Sequence, residues 1–315
     1  MSRWVIIGGT GYIGAALCHQ LAESGLPVVS VSRAPQGNPC CAGNALYTHQ
    51  SISLSPGTDP GFVFQPGDRV IYAAGLADRR QCERQPGLAR WLNSDCPLIL
   101  LQAADARGAE SFTYLSSVKA MRPPRGVLAD EGAGEPAGDA YGRSKWDGER
   151  QLLSFAAACR VNIIRPAAVY GESVSEGAAG SPRRAGRLRA LVRRLGRFLP
   201  VVPASGRRSF VSLPDLVNAI VMVAGASHCR GQVFIAAEPR FYDLAGILSD
   251  CGVRTSGSES LTRLVLGPLR PLRALPQVRA LLELDASELY SAARLRRALA
   301  WKAERRYSQY LRGNL

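Results

Sequence analysis

The first half of the chain alternates short apolar runs with longer stretches of helical character. Trp4 to Ile7 reads as a buried strand, followed by a glycine-rich turn and a helix through Ala15 to Ser24. Pro27 to Ser32 reads as a second strand, and Val70 to Ala74 as another behind the turn Pro66-Gly67-Asp68. Leu88 to Ala106 reads as helix, and Phe112 to Leu115 as a strand ending at Ser116-Ser117. Tyr141 to Cys159 reads as a long helix, then Val161 to Ile164 as a strand closed by Arg165-Pro166. Strands alternating with helices predict a parallel sheet covered on both faces.

Beyond Tyr170 the pattern changes. Residues 173 to 182 are small, and a basic stretch follows with Arg183, Arg184, Arg187, Arg189, Arg193, Arg194 and Arg197. The sheet pattern returns at Val233 to Ala236, and a leucine-rich basic segment runs from Leu261 to Leu284. No apolar run approaches the ~20 residues of a membrane span. Pro97 to Ala104 and Ala219 to Ala226 are too short, and the opening residues read as a strand and not a signal peptide, so a cytoplasmic protein is expected.

With 46% apolar and 20% charged residues over 315 positions, disorder is excluded as the main character. The three histidines, His19, His49 and His228, show no metal-ligand spacing, so neither a metal nor histidine-based nucleophilic catalysis is expected. Eight cysteines include one close pair, Cys40-Cys41, and no C-x-x-C, which suits reduced thiols. Lys plus Arg number 39 against 25 acids, a net +14, yet only Lys119, Lys145 and Lys302 are lysines. The arginine bias suits a GC-rich genome, and the surplus favours anionic partners such as phosphates or nucleotides.

Two motifs carry chemistry. Gly8, Gly11 and Gly14 form G-x-x-G-x-x-G directly after the first strand. Such a turn lets backbone N–H groups and a helix N-terminus approach a pyrophosphate. Ser32-Arg33 ends the second strand, where an acid would favour NAD and an arginine suits the 2′-phosphate of NADP. Tyr141 and Lys145 lie four apart at a helix start, on one face. A nearby ammonium is expected to lower the phenol pKa, and lysine's lower pKa and compact charge suit that role better than arginine. Ser117, at a strand's C-terminal end, is placed to donate to a substrate oxygen.

Together these residues resemble the extended short-chain dehydrogenase/reductases, in particular the NAD(P)-dependent nucleotide-sugar epimerase/dehydratase family. The matching segments are Gly8 to Gly14, Val70 to Ala74, Asn93, Leu115-Ser116-Ser117, Tyr141 to Lys145 with Glu149, Arg165 to Gly171, Arg208 to Val211 ahead of Asp215, and Leu295 to Trp301, where Ala300 replaces the family's glycine. The resemblance implies a Rossmann doubly wound α/β sheet with a smaller discontinuous C-terminal region. Residues 1–170 plus 209–238 would bind the dinucleotide, and 171–208 plus 239–315 the substrate. It implies a catalytic trio of Ser117, Tyr141 and Lys145. It implies cofactor contacts from Gly8, Thr10, Gly11, Tyr12, Ile13, Gly14, Ser32, Arg33, Ala73, Ala74, Gly75, Tyr141, Lys145 and Pro166, and a substrate diphosphate contact from Arg208.

The expected reaction is oxidation or reduction at C4 of a nucleotide-diphosphate sugar by NADP or NAD, in surface-polysaccharide sugar metabolism. Val118 and Lys119 stand where the dehydratase branch has an acid pair, so dehydration is not expected. Residues 261–285 lack the late Arg-rich loop of typical 4-epimerases, which with Arg33 tilts the reading towards a 4-keto reductase. The alternatives are an NADP-dependent reductase of a non-sugar carbonyl and a non-catalytic NADP-binding protein. A homodimer is expected, with Leu152, Leu153, Phe155 and Ala156 as candidate interface residues. No nucleic-acid partner and no membrane attachment are expected.

Overall fold

The computed structural model describes residues 2–57, 63–124, 126–174, 201–272 and 286–313. Seven parallel strands form the central sheet: β1 (Trp4–Ile7), β2 (Val28–Ser32), β3 (Tyr47–Ser51), β4 (Arg69–Tyr72), β5 (Ser111–Leu115), β6 (Arg160–Pro166) and β7 (Gln232–Ala236). Their order is β7-β6-β5-β4-β1-β2-β3, so the order reverses beside β1, where open parallel sheets bind ligands. Four helices cover it: α1 (Tyr12–Glu23), α2 (Cys96–Ala106), α3 (Ala140–Ser154) and α4 (Leu213–Gly225).

The period of two along each strand sorts the core into two layers. Trp4 and Ile6 pack with Leu17, Leu21, Leu216, Ile220 and Phe234 under α1 and α4. Val5 and Ile7 pack with Tyr72, Leu100, Phe112, Tyr114 and Leu152 under α2 and α3. Leu152, a candidate interface residue, is therefore core, whereas Leu153 is 37% exposed.

Three expectations change. The helix expected over Leu88 to Ala106 is a short helix Pro86–Arg90, one π-helical turn Trp91–Asp95, and α2. The helix expected to reach Cys159 stops at Ser154, because Phe155 is extended and Cys159 N is taken by the Asp105 carboxylate at 2.7 Å. The edge strand β3, half-exposed and polar, was not read from sequence.

Beyond the sheet, strands Ala168–Tyr170, Arg208–Ser212 and Phe241–Tyr242 form a small mixed sheet, and Val201–Pro203 pairs with Ser256–Ser258. The closing residues fold back onto the core. Trp301 is buried, and its indole N–H donates to the Asp215 carbonyl at 3.1 Å. The Asp215 carboxylate accepts from the Ser212 hydroxyl and from Glu304 and Arg305 N–H. Ala300 has φ 53°, the one non-glycine residue with positive φ among those described. Within Leu261 to Leu284, Glu259–Leu266 is helical with Leu264 and Val265 exposed, and residues 273–285 lie outside the described residues. The basic run Arg183 to Arg197 also lies outside them. No described helix is long and apolar enough to cross a membrane.

Glu238 is buried, and burial pushes its carboxyl from an ordinary 4.5 up to about 7, against the pull of Tyr307 N–H and Arg306. Between those two values the folded chain binds more protons than the unfolded chain, so this group lowers stability as pH rises. Glu238→Gln is expected to flatten that part of the pH–stability profile measured by urea denaturation. An unchanged slope would assign it to another group.

Candidate active site

Most segments that the sequence marks for chemistry leave the central sheet at the C-terminal ends of its strands. The glycine turn follows β1, Ser32 ends β2, Ala73 to Gly75 follow β4, Ser116-Ser117 follow β5, and Pro166 ends β6. Parallel pairing places these ends on one edge.

The glycine turn is a cradle that side chains would fill. Gly8 has φ +87°, and a Cβ there would lie 2.6 Å from Ala74 N. A Cβ on Gly14 would lie 2.1 Å from the Gly8 carbonyl oxygen. Gly11 is the N-cap of α1 and no side chain caps this end, so the first-turn N–H groups of Tyr12, Ile13 and Gly14 are free to meet an anion. Tyr12 turns its own hydroxyl to the Gly171 carbonyl at 2.9 Å. These features fit a dinucleotide pyrophosphate.

At the end of β2 the Thr10 hydroxyl donates to Ser32 Oγ at 2.9 Å, and Ser32 Oγ also accepts from Ala34 N at 3.1 Å. Arg33 is exposed and makes no hydrogen bond or ion pair among the described residues.

Tyr141 and Lys145 occupy the first turns of α3. Asp139 caps this helix by accepting from Gly142 N at 3.0 Å, and a Cβ on Gly142 would meet the Lys119 carbonyl, so the helix start is pressed against the turn after Ser117. Ser117, whose hydroxyl accepts from Lys119 N at 3.1 Å, lies beside Tyr141 and bears on its phenol. Lys145 is buried. Its ammonium donates to the Leu115 carbonyl at 2.8 Å, lies 4.8 Å from the Tyr114 ring centre and abuts Gly75.

The expected depression of the Tyr141 pKa by Lys145 is not found. Burial pushes the phenol above 10, with the Ser117 hydroxyl and Arg79 pulling it back, and Lys145 is not among the leading influences. Burial also lowers Lys145 to about 8, partly offset by Glu149. The unfolded lysine binds its proton more tightly, so this burial costs stability at neutral pH, and the cost fades as pH rises from about 8 towards 10.5.

The π turn explains how the region beneath Lys145 is built. A π turn withdraws backbone carbonyls from the helical ladder. Tyr72 and Tyr114, buried in β4 and β5, donate their hydroxyls to the Leu92 and Asn93 carbonyls, each at 2.6 Å. The Asn93 amide then bridges Leu76 N, Leu76 O and Ser144 Oγ, each at 3.0 Å, joining the loop after β4 to α3.

Ser117 also lines a cavity of about 280 Å³ with Lys119, Ala167, Arg208, Phe210 and Glu288. Glu288, which sequence reading did not single out, accepts from Lys119 Nζ at 2.5 Å and pairs with Arg208 at 2.6 Å. Both cations hold its carboxyl below the usual range despite burial. The cavity thus joins the expected substrate arginine to the expected catalytic serine, with one more cation than anion among these three.

A model of the NAD-dependent epimerase/dehydratase family matches residues 4–236. A UDP-glucose 4-epimerase of Rhizobium meliloti (strain 1021) is 25% identical over 151 residues, a span of 48% of this chain and 46% of that protein. The chain therefore matches under half the length of this curated relative. Among solved structures, the UDP-glucose 4-epimerase of Thermotoga maritima with UDP-glucose superposes with TM-score 0.72 at 18% identity, covering 98% of this chain and 96% of that one. MoeE5 in complex with UDP-glucose and NAD gives TM-score 0.70 at 18% identity, with the same coverages. These structural likenesses establish the Rossmann-type fold.

Proposed function

This chain belongs to the NAD-dependent epimerase/dehydratase family, and on that premise we propose that it transfers hydride between C4 of a nucleotide-linked sugar and NAD(P). The observation that carries the reading is the glycine cradle sharing a sheet edge with the buried Lys145 ammonium, on the helix whose start sets Tyr141 against the turn after Ser117. When bound, the dinucleotide accepts or returns the hydride. Tyr141 Oη gives its proton to the C4 oxygen as a ketone is reduced, and in the reverse direction takes the C4 hydroxyl proton as the phenolate. With its pKa held up by burial, the phenol rests protonated and suits donation to a ketone. Ser117 Oγ holds the substrate oxygen against Tyr141. Lys145, still mostly charged at pH 7, presents its ammonium beside Gly75, where the nicotinamide ribose would lie.

Arg208 reaches the diphosphate by exchanging Glu288 for phosphate oxygens. Glu288 is held ionised between two cations, and Val118 and Lys119 supply no carboxyl, so the acid–base pair for eliminating water is missing at these positions.

The first reading is 4-epimerisation, supported by the activities named for the relatives. The second is 4-keto reduction by NADPH, supported by Arg33, exposed at the end of β2. Mass spectrometry of the purified protein separates them. Copurified NAD favours the epimerase, and an empty protein that fills with NADPH favours the reductase. Under the reductase reading, Arg33→Ala weakens NADPH binding about tenfold or more, the scale of a lost charge-assisted contact, and leaves NADH binding nearly unchanged. Equal losses for both would remove Arg33 from the 2′-phosphate.

We further propose a homodimer in which exposed Ile99 of α2 and Leu153 of α3 meet their copies. Light scattering at micromolar concentration is expected to give the dimer mass. A monomer mass overturns this.

A further inference from the structure

We propose that His19, Cys40 and Cys41 form a site for a thiophilic cation of the Zn2+ class, on the far side of the glycine turn from the active site. His19 lies on α1, and both cysteines on the short helical turn Pro39–Cys41 that follows β2. One ligand atom from each falls within 4.8 Å of the others, and the two sulfurs stand 3.9 Å apart. A metal 2.3 Å from both sulfurs at that separation makes an S–metal–S angle of about 116°, between tetrahedral and trigonal values. The histidine must close by at most about 1 Å to reach the usual 2.0–2.1 Å metal–nitrogen bond. Sequence spacing did not point to this cluster, because its two halves come together only through the packing of α1 on the turn after β2.

A second observation points the same way. Nδ1 of His19 is buried and has no hydrogen-bond partner. A buried imidazole nitrogen without a partner is costly, and a metal bound at that nitrogen would satisfy it. Cys41 is buried and Cys40 half-buried, so three protein ligands leave a fourth position on the Cys40 side for water. Cys18 is not part of the set, since its thiol is directed to the Gly9 carbonyl. Binding Zn2+ releases one proton from each cysteine thiol to solvent and moves no electrons, leaving a neutral dithiolate complex that suits a partly buried site.

The position gives the site a consequence. Asn38, next to the turn, donates from its amide to the Gly9 carbonyl at 2.8 Å and so holds the glycine turn from behind. A metal joining α1 to residues 40–41 would stiffen that support. This part alone rests on the proposed dinucleotide site.

The test uses the full chain, reduced with a phosphine, stripped of metal by a chelator and titrated with Co2+ and then Zn2+. The expected result is a thiolate-to-cobalt charge-transfer band saturating at one equivalent, removed by Zn2+, with Zn2+ raising the melting temperature. Cys40→Ser and Cys41→Ser are each expected to abolish the band. His19→Gln is expected to keep a thiolate band with affinity at least tenfold weaker, and Cys159→Ser to change nothing. No band in the wild-type chain, or a band unaltered in both cysteine variants, overturns the site. Should a variant fail to fold, peptide-resolved alkylation of the wild-type chain decides: Zn2+ is expected to protect Cys40 and Cys41, and equal labelling with and without it overturns the proposal. Formation of a Cys40–Cys41 disulfide under mild oxidation, with no metal uptake by the reduced chain, also overturns it. Tighter NAD(P) binding with Zn2+ supports the stiffening. Unchanged NAD(P) affinity with one Zn2+ bound removes the stiffening and leaves the metal site standing.

Discussion

Tyr141→Phe is expected to lower turnover of a nucleotide-linked sugar by about 10²–10⁴-fold, the range that a positioned general acid–base supplies. The substitution removes one oxygen and keeps the ring, so the start of α3 stays capped by Asp139 and pressed against the turn after Ser117. Dinucleotide binding, which draws on the cradle after β1 and on Lys145, is expected to change little. Steady-state kinetics beside a fluorescence titration with NADH and NADPH check both halves. Retained turnover would take the proton transfer away from this phenol. Lost binding together with lost turnover would make it a structural residue.

The second large effect is on stability. Arg165 and Glu149 form a bidentate pair at 2.9 and 2.5 Å, with side chains 4% and 2% exposed. Arg165 also donates to the Glu131 carbonyl at 3.0 Å. Removing one member of a buried pair leaves the other charge without compensation and typically costs about 3–5 kcal/mol. Arg165→Met is expected to destabilise the chain by that amount in urea denaturation. The double variant Arg165→Met, Glu149→Leu is expected to lose less than the sum of the single losses, because no charge is stranded. Additive losses would mean that the two side chains act independently. Glu149 also stands among the influences on Lys145, so the pair ties the foundation of the site to the core.

Much of this molecule was legible in its residues, for identifiable reasons. β1, β2, β5 and β7 are short, apolar and buried, and such runs between turn residues announce themselves. β3 was missed because an edge strand with polar, half-exposed side chains carries no alternation to detect. The overrun of α3 came from Phe155, Ala156 and Ala157, whose apolar and small character continues a helical pattern that the backbone abandons. The glycine turn, Ser117 and the Tyr141–Lys145 spacing were visible because each lies within a few residues of a recognisable strand or helix start. The protonation of Tyr141 was not, because spacing gives a shared helical face while burial sets the balance of charge. Glu288 was out of reach as well, since its partner Lys119 is 169 positions away. The π turn has no compositional mark of its own, and the acceptors it offers Tyr72 and Tyr114 show only in the folded chain.

A π turn holds one residue more than an α-helical turn requires. Deleting one residue within 91–95 would let that segment regain regular i→i−4 pairing with the flanking turns close to their present phase, and would draw the freed carbonyls back into the ladder. Tyr72 and Tyr114 would then face a ladder with no oxygen to offer, and the amide that bridges Leu76 to Ser144 would leave its place. At this one point the most regular helix and a working pocket are mutually exclusive, so a shortened chain should melt as a folded protein and still fail to hold its loop over the strand ends.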